Sequence, residues 1–271
     1  MKKQIYLFLK NKKIFFILII FFLIIVFLIS KITQLYLETN IPLKNILNLR
    51  INLNNSRLEK VAHASGGFKG KTYTNSLESL EFNKFNYNFF EIDLMINSEN
   101  KIICSHNFRD KFISIDQLKS KYDYTPCTLH SLNKWLKENP NKFIITDTKD
   151  NTYETLVQIK NFIYNFQNRI IPQIYFYEEY EMVKKLGFKK IIWTFYRLNN
   201  QQRDLNLILD QLQNMDLFSV AISENLALLG YGNKISQKNI PVYLHTINSF
   251  KRFKFYKFFF GIDNIYTDWL N

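Results

Sequence analysis

From residue 61 onward the chain alternates eight short β-like runs, rich in β-branched and aromatic residues, with stretches of different periodicity. The runs are Val61–His63, Phe90–Met95, Phe143–Asp147, Ile170–Ile174, Ile191–Phe195, Phe218–Ile222, Val242–His245 and Asn264–Thr267. Between them lie amphipathic stretches, including Leu129–Glu138, Tyr153–Phe166, Glu178–Leu186 and Gln201–Leu212. Strands that alternate with helices build a parallel sheet. Eight such units in about 210 residues predict an α/β protein of the (β/α)8 TIM-barrel type. A doubly wound open sheet is the competing arrangement, but it calls for a regular Gly-rich phosphate loop after the first strand. GGFKG, after His63, lacks that spacing.

A different signal precedes the barrel. Ile14–Ile29 is an unbroken apolar run, with Lys10, Lys12 and Lys13 before it and Lys31 after it. As a helix it would span about 24 Å, close to a bilayer core once the flanking lysines snorkel. Lys2, Lys3, Lys10, Lys12 and Lys13 bias the N-terminus toward the cytoplasm. SKITQLYLETN, after the run, has no small-residue cleavage triplet, so a retained anchor is expected in preference to a removed signal peptide. The expected organisation is a basic tail over 1–13, a single-pass signal-anchor over 14–31, a spacer over 32–60 and the barrel over 61–271. The barrel then lies outside the cytoplasm.

Net charge is +13, and the 241 residues beyond the first 30 still hold 31 basic against 23 acidic side chains. A diffuse excess of this kind suits phosphate or an anionic surface. No nucleic-acid partner is expected for an exported domain. The basic, aromatic stretch Ser249–Gly261 invites a membrane-surface or nucleic-acid reading, and is read in preference as an outer helix packing its aromatic face on the sheet. Two cysteines, Cys104 and Cys127, exclude an all-cysteine zinc site; their spacing leaves a disulfide and two buried thiols equally open.

In a TIM barrel, chemistry gathers at the C-terminal ends of the strands. His63 ends the first run, Glu91 and Asp93 close the second, Asp147 and Lys149 the third, His245 the seventh and Asp268 the eighth. His106 follows a short apolar stretch in KIICSHNF. Glu91 and Asp93 are two residues apart and share one face of their strand, and two acids in so apolar a run are costly to bury unpaired. With Asp147 they make an oxygen-rich site for Mg²⁺ or Ca²⁺. Two histidines supply a proton acceptor and a proton donor near neutral pH, and a lysine neutralises a phosphoryl oxygen. The set suggests metal-assisted phosphodiester cleavage. Plainer roles compete: rim charges, hydrogen-bonded core histidines, a surface ion pair for Asp147 with Lys149, packing for His245, and loop fixation for Asp268.

The order of these residues, with Asn75-Ser76 after the first histidine and HTIN then GIDNIYTD at the end, resembles the glycerophosphodiester phosphodiesterase and phosphatidylinositol phospholipase C-like superfamily. The resemblance runs from about Val61 to Leu270. It implies a (β/α)8 barrel that hydrolyses polyol phosphodiesters, with His63 and His106 as the catalytic pair. It further implies Glu91, Asp93 and Asp147 as ligands of a divalent metal, and Lys149 as a phosphate-facing residue. His245 is read as a substrate contact, at a place where the family usually has Trp. Ala64, Thr74 and Asn107 replace the family's usual Arg, Glu and Asp, and Asp147 its usual Glu. These departures keep a second reading open, a non-catalytic membrane-anchored barrel that binds phosphorylated envelope material. The expected partner is a phosphodiester small molecule or lipid headgroup, and the membrane through the N-terminal helix.

Overall fold

The structure, a computed structural model, describes residues 20–27 and 60–269. Residues 20–27 are helical, with exposed apolar side chains. The rest of the expected membrane span lies outside the described residues, as do the basic tail and all of the spacer but Lys60. Among the described residues no helix is long and apolar enough to cross a membrane.

The eight runs form eight parallel strands. They are β1 (Val61–Ala62), β2 (Phe89–Ile96), β4 (Phe143–Thr148), β5 (Ile170–Ile174), β6 (Ile192–Thr194), β7 (Ser219–Ser223), β8 (Val242–His245) and β9 (Asn264–Thr267). Each pairs with the next in this order, and β9 returns to β1, with Val61 opposite Tyr266 and Ala62 opposite Thr267. The sheet is therefore a closed barrel.

A ninth strand, β3 (Ile102–Cys104), runs antiparallel to the end of β2, with Leu94 opposite Cys104. No helix separates it from β2, so it stands outside the strand–helix alternation, and the sequence reading takes it only as an apolar stretch before His106. It opens an excursion that closes at Cys127, where a disulfide joins Cys104 to Cys127.

The barrel interior is built in layers. Val61, Phe89, Ile145, Ile171, Ile192, Ala221, Tyr243 and Tyr266, one from each parallel strand, form a buried apolar cluster. The alternate residues, such as Phe90, Ile92, Leu94 and Ile144, belong to a second core beneath the helices. Every residue of β2 is buried, because both faces of the strand are covered. Each such Ile or Phe contributes roughly 1.5–3 kcal/mol by leaving water.

The helices follow their local signals. Leu129–Glu138 begins at Thr128, whose hydroxyl accepts the Ser131 N–H, and buries Leu132, Trp135 and Leu136 at helical spacing. Phe250–Phe260 buries Phe253 and Tyr256 and leaves Phe250, Phe255 and Phe258 exposed, as expected of an outer barrel helix.

Candidate active site

Strand alternation turns the apolar layer into a polar one. Two residues beyond the buried cluster, the interior positions are His63, Glu91, Asp147, Gln173, Thr194, Ser223, His245 and Asp268. Glu91 and Asp93 are fully or almost fully buried, and Asp147 nearly so. Oxygens of these three lie within 4.8 Å of one another. Lys149 bridges two of them, with Nζ 2.5 Å from Asp93 Oδ1 and 2.7 Å from Asp147 Oδ2.

Each carboxylate has a different environment. Glu91 Oε2 accepts the Ala64 N–H at 2.6 Å, while Oε1 is buried without a hydrogen-bond partner. Burial, together with Asp93 and Asp147, pushes the Glu91 carboxyl well above the usual range. Burial also pushes Asp93 up, but His106, Lys149 and the Asn75 amide outweigh it and hold Asp93 below the carboxylate range. Asn75 grips that residue twice, donating to Oδ2 at 2.8 Å and accepting its backbone N–H at 2.9 Å. Asp147 Oδ1 accepts the Tyr175 hydroxyl and, at 2.8 Å, that of Tyr196. Arg197 stacks 3.5 Å from the Tyr175 ring centre, donates to Thr148 O at 2.7 Å and stands 3.9 Å from Asp147. Three acids thus face one close ammonium, with one acceptor orphaned. The all-oxygen donor set and the buried Glu91 oxygen left without a partner suit a hard divalent cation.

The histidines flank this cluster. His63 donates from Nδ1 to Asp268 Oδ1 at 2.8 Å, which turns Nε2 toward Glu91, 4.0 Å away. Asp268 is held in turn by Asn248, whose amide donates to Oδ2 at 2.9 Å and accepts the Asp268 N–H at 2.8 Å. His106 lies half-exposed at the rim, with Nδ1 3.3 Å from Asp93 Oδ2. His245 packs edge-on against His63 with ring centres 4.6 Å apart, and burial and that neighbour push it down to about 3. Its imidazole is therefore neutral.

The loops that carry these groups are strained. Ala64, Ser65, Tyr73 and Asn75 all have left-handed backbones, at φ 46°, 70°, 56° and 47°. Each such residue other than glycine costs about 1–2 kcal/mol. The distortion at Ala64 aims its N–H at Glu91, and that at Asn75 places its amide on Asp93. Nearby, a Cβ on Gly67 would fall 2.0 Å from the Trp269 ring, so a larger residue would have to displace that ring where the first loop meets the segment after β9.

The seven residues given site roles from the sequence, and Asp268 with them, sit at this mouth of the barrel or on its rim. Three partners escaped that reading. Asp268, read as a loop-fixing residue, also bonds to His63; Asn75, read only as part of a pattern, anchors Asp93. Tyr73 touches the rings of both His63 and His106, with centres 4.7 Å and 4.4 Å away. The period-two step from Tyr266 to Asp268 was the one signal available for the first; nothing local marks Tyr73.

No family model and no curated protein matches the sequence. Solved structures do match the fold. A candidate glycerophosphodiester phosphodiesterase from Galdieria sulphuraria is 17% identical, over 79% of this chain and 94% of its own, with a TM-score of 0.64. A glycerophosphodiester phosphodiesterase from Thermotoga maritima is 16% identical, over 79% and 96%, with a TM-score of 0.59. An Oleispira antarctica phosphodiesterase, in complex with the product sn-glycerol-3-phosphate, is 15% identical, over 78% and 93%, also at 0.59. The family resemblance read from the sequence is thus met by a likeness of fold.

Proposed function

We propose that this barrel, which shares its fold with glycerophosphodiester phosphodiesterases, is itself a metal-dependent phosphodiester hydrolase acting on glycerophosphodiesters or related lipid-headgroup phosphodiesters. The observation that carries the reading is the buried trio Glu91, Asp93 and Asp147, with an orphaned oxygen on Glu91 and an imidazole on either side.

Glu91, Asp93 and Asp147 are the residues to hold the ion, Mg²⁺ or Ca²⁺, which when bound supplies positive charge to a phosphoryl oxygen and acidifies a hydroxyl or water. Asp268 fixes the tautomer of His63, leaving Nε2 as the acceptor on the site side. One histidine takes the proton of the attacking polyol hydroxyl, and the other protonates the departing alkoxide. The phosphorus–oxygen bond to the alcohol breaks as the internal one forms, giving a cyclic phosphate that water then opens. Lys149, kept charged because Asp147, Asp93 and Glu91 outweigh its burial, places a cation beside the phosphoryl group. His245 offers a neutral ring edge to the substrate.

The lysine-flanked run Ile14–Ile29 is the anchor in this reading. Residues 1–13 then face the cytoplasm, 32–60 form the spacer, and 61–271 form the catalytic domain on the outer face, near lipid headgroups.

The test is release of alcohol from a panel of glycerophosphodiesters by the full chain in detergent, with Mg²⁺, Ca²⁺ or EDTA. Turnover should need the ion and fall about 10²–10⁴-fold in His63→Ala and in His106→Ala. An unchanged rate in His63→Ala would overturn the assignment.

A further inference from the structure

Tyr73 occupies a place that the proposed reaction leaves unassigned. Its ring lies edge-on to His63 at 4.7 Å and tilted on His106 at 4.4 Å, so it spans the gap between the two imidazoles. The remaining surface of the side chain is open, at 40% exposure. Its backbone is left-handed, a conformation bulky residues rarely adopt, and it is fixed from both sides. Phe68 and Lys71 form a bridge before it. After it, the Asn75 N–H donates to Ala64 O at 3.2 Å while the Asn75 side chain grips Asp93. Strain retained at an exposed aromatic beside titratable groups points toward a ligand rather than toward packing. Burial and the carboxylates of Asp268, Asp93 and Glu91 also raise its phenol above the usual value, so the hydroxyl stays neutral.

A diester that gives a proton to one imidazole and takes one from the other must reach both rings. It therefore lies along Tyr73. We propose that Tyr73 is a specificity-determining residue, whose ring forms the wall against which the alcohol portion of the phosphodiester packs and so limits its bulk. This rests on the phosphodiesterase reading above.

The experiment compares glycerophosphoethanolamine with the bulkier glycerophosphoinositol, using the full chain in detergent with Mg²⁺ or Ca²⁺. Tyr73→Ala should shift the ratio of the two kcat/KM values at least 10-fold toward the bulky substrate, and Tyr73→Phe should hold it within about twofold of the parent. Should the alanine variant fail to fold, Tyr73→Trp should move the ratio the opposite way. A ratio unchanged in the variants, with kcat lowered equally on both substrates, would reduce Tyr73 to a prop for the histidines and overturn the inference. If the parent chain cleaves neither diester, the phosphodiesterase reading fails separately. The inference is then decided by calorimetric binding of the two intact diesters: a 10-fold change in their relative affinity in Tyr73→Ala supports it, and no change overturns it.

Discussion

His245 shows how far neighbours move a single side chain from its ordinary chemistry. Its ordinary value of 6.5 falls to about 3 through burial and the adjacent His63. Between those values the unfolded chain binds more protons than the folded one. The stability that the neutral ring contributes is therefore complete above pH 6.5 and lost as pH falls toward 3. His245→Gln, which is polar but cannot charge, should show a shallower fall of Tm with acid. Identical curves for both proteins across that range would remove His245 as a source of acid sensitivity. The carboxylates were legible at this scale because each breaks an otherwise apolar run. The structure continues β2 to Ile96, so Glu91 and Asp93 lie within that strand and not at its end, whereas Asp147 is next to last in β4. The His63–Asp268 bond joins residues 205 positions apart, and no local pattern announces which strand ends will face each other.

Among the elements, the excursion from β3 to Cys127 carries the most consequence for the site. Cys104 precedes His106 by two residues, its N–H donates to Cys127 O at 2.9 Å, and the Cys127 N–H donates to Asn75 O at 3.0 Å. One cross-link thus steadies both His106 and the residue that grips Asp93. A second tie lies within the loop. Buried Asp110 accepts from Ser105 at 2.5 Å and from Tyr122 at 2.8 Å, and pairs with Lys121 at 2.5 Å. Closing a loop of 23 residues stabilises by about 3 kcal/mol. Reduction, or Cys104→Ser with Cys127→Ser, should lower Tm by roughly 5–12 °C and cut turnover about tenfold, with circular dichroism preserved. Full turnover in the reduced, folded protein would show that the Asp110 network alone positions His106. The parallel strands were readable because helical or loop stretches separate them in a repeating alternation; β3 was not, because it folds back antiparallel on β2 with no helix between and so falls outside that rhythm.

For the molecule as a whole, barrel closure converts eight separate strand ends into one enclosed mouth. That geometry brings together acids from β2 and β4, a histidine after β1 and another at the end of β8. The proposed anchor adds a second large-scale property. The full chain should sediment with membranes and resist a high-salt wash, whereas a chain lacking residues 1–31 should be released in soluble form. Retention of the truncated chain in the membrane fraction would place the attachment in the barrel instead. Such retention would point to the basic, aromatic surface around Phe250–Phe260.

By itself the sequence determined the alternation of strands and helices, and with it the barrel. Period and length are local properties, and eight parallel crossovers have few ways to close. It also determined which strand ends carry charge. Tertiary structure alone decided the partnerships: Asp268 on His63, Asn75 on Asp93, Cys104 with Cys127, and Tyr73 between two histidines. These depend on distances across the mouth and on left-handed turns at non-glycine residues, which local propensity disfavours and only the surrounding contacts impose.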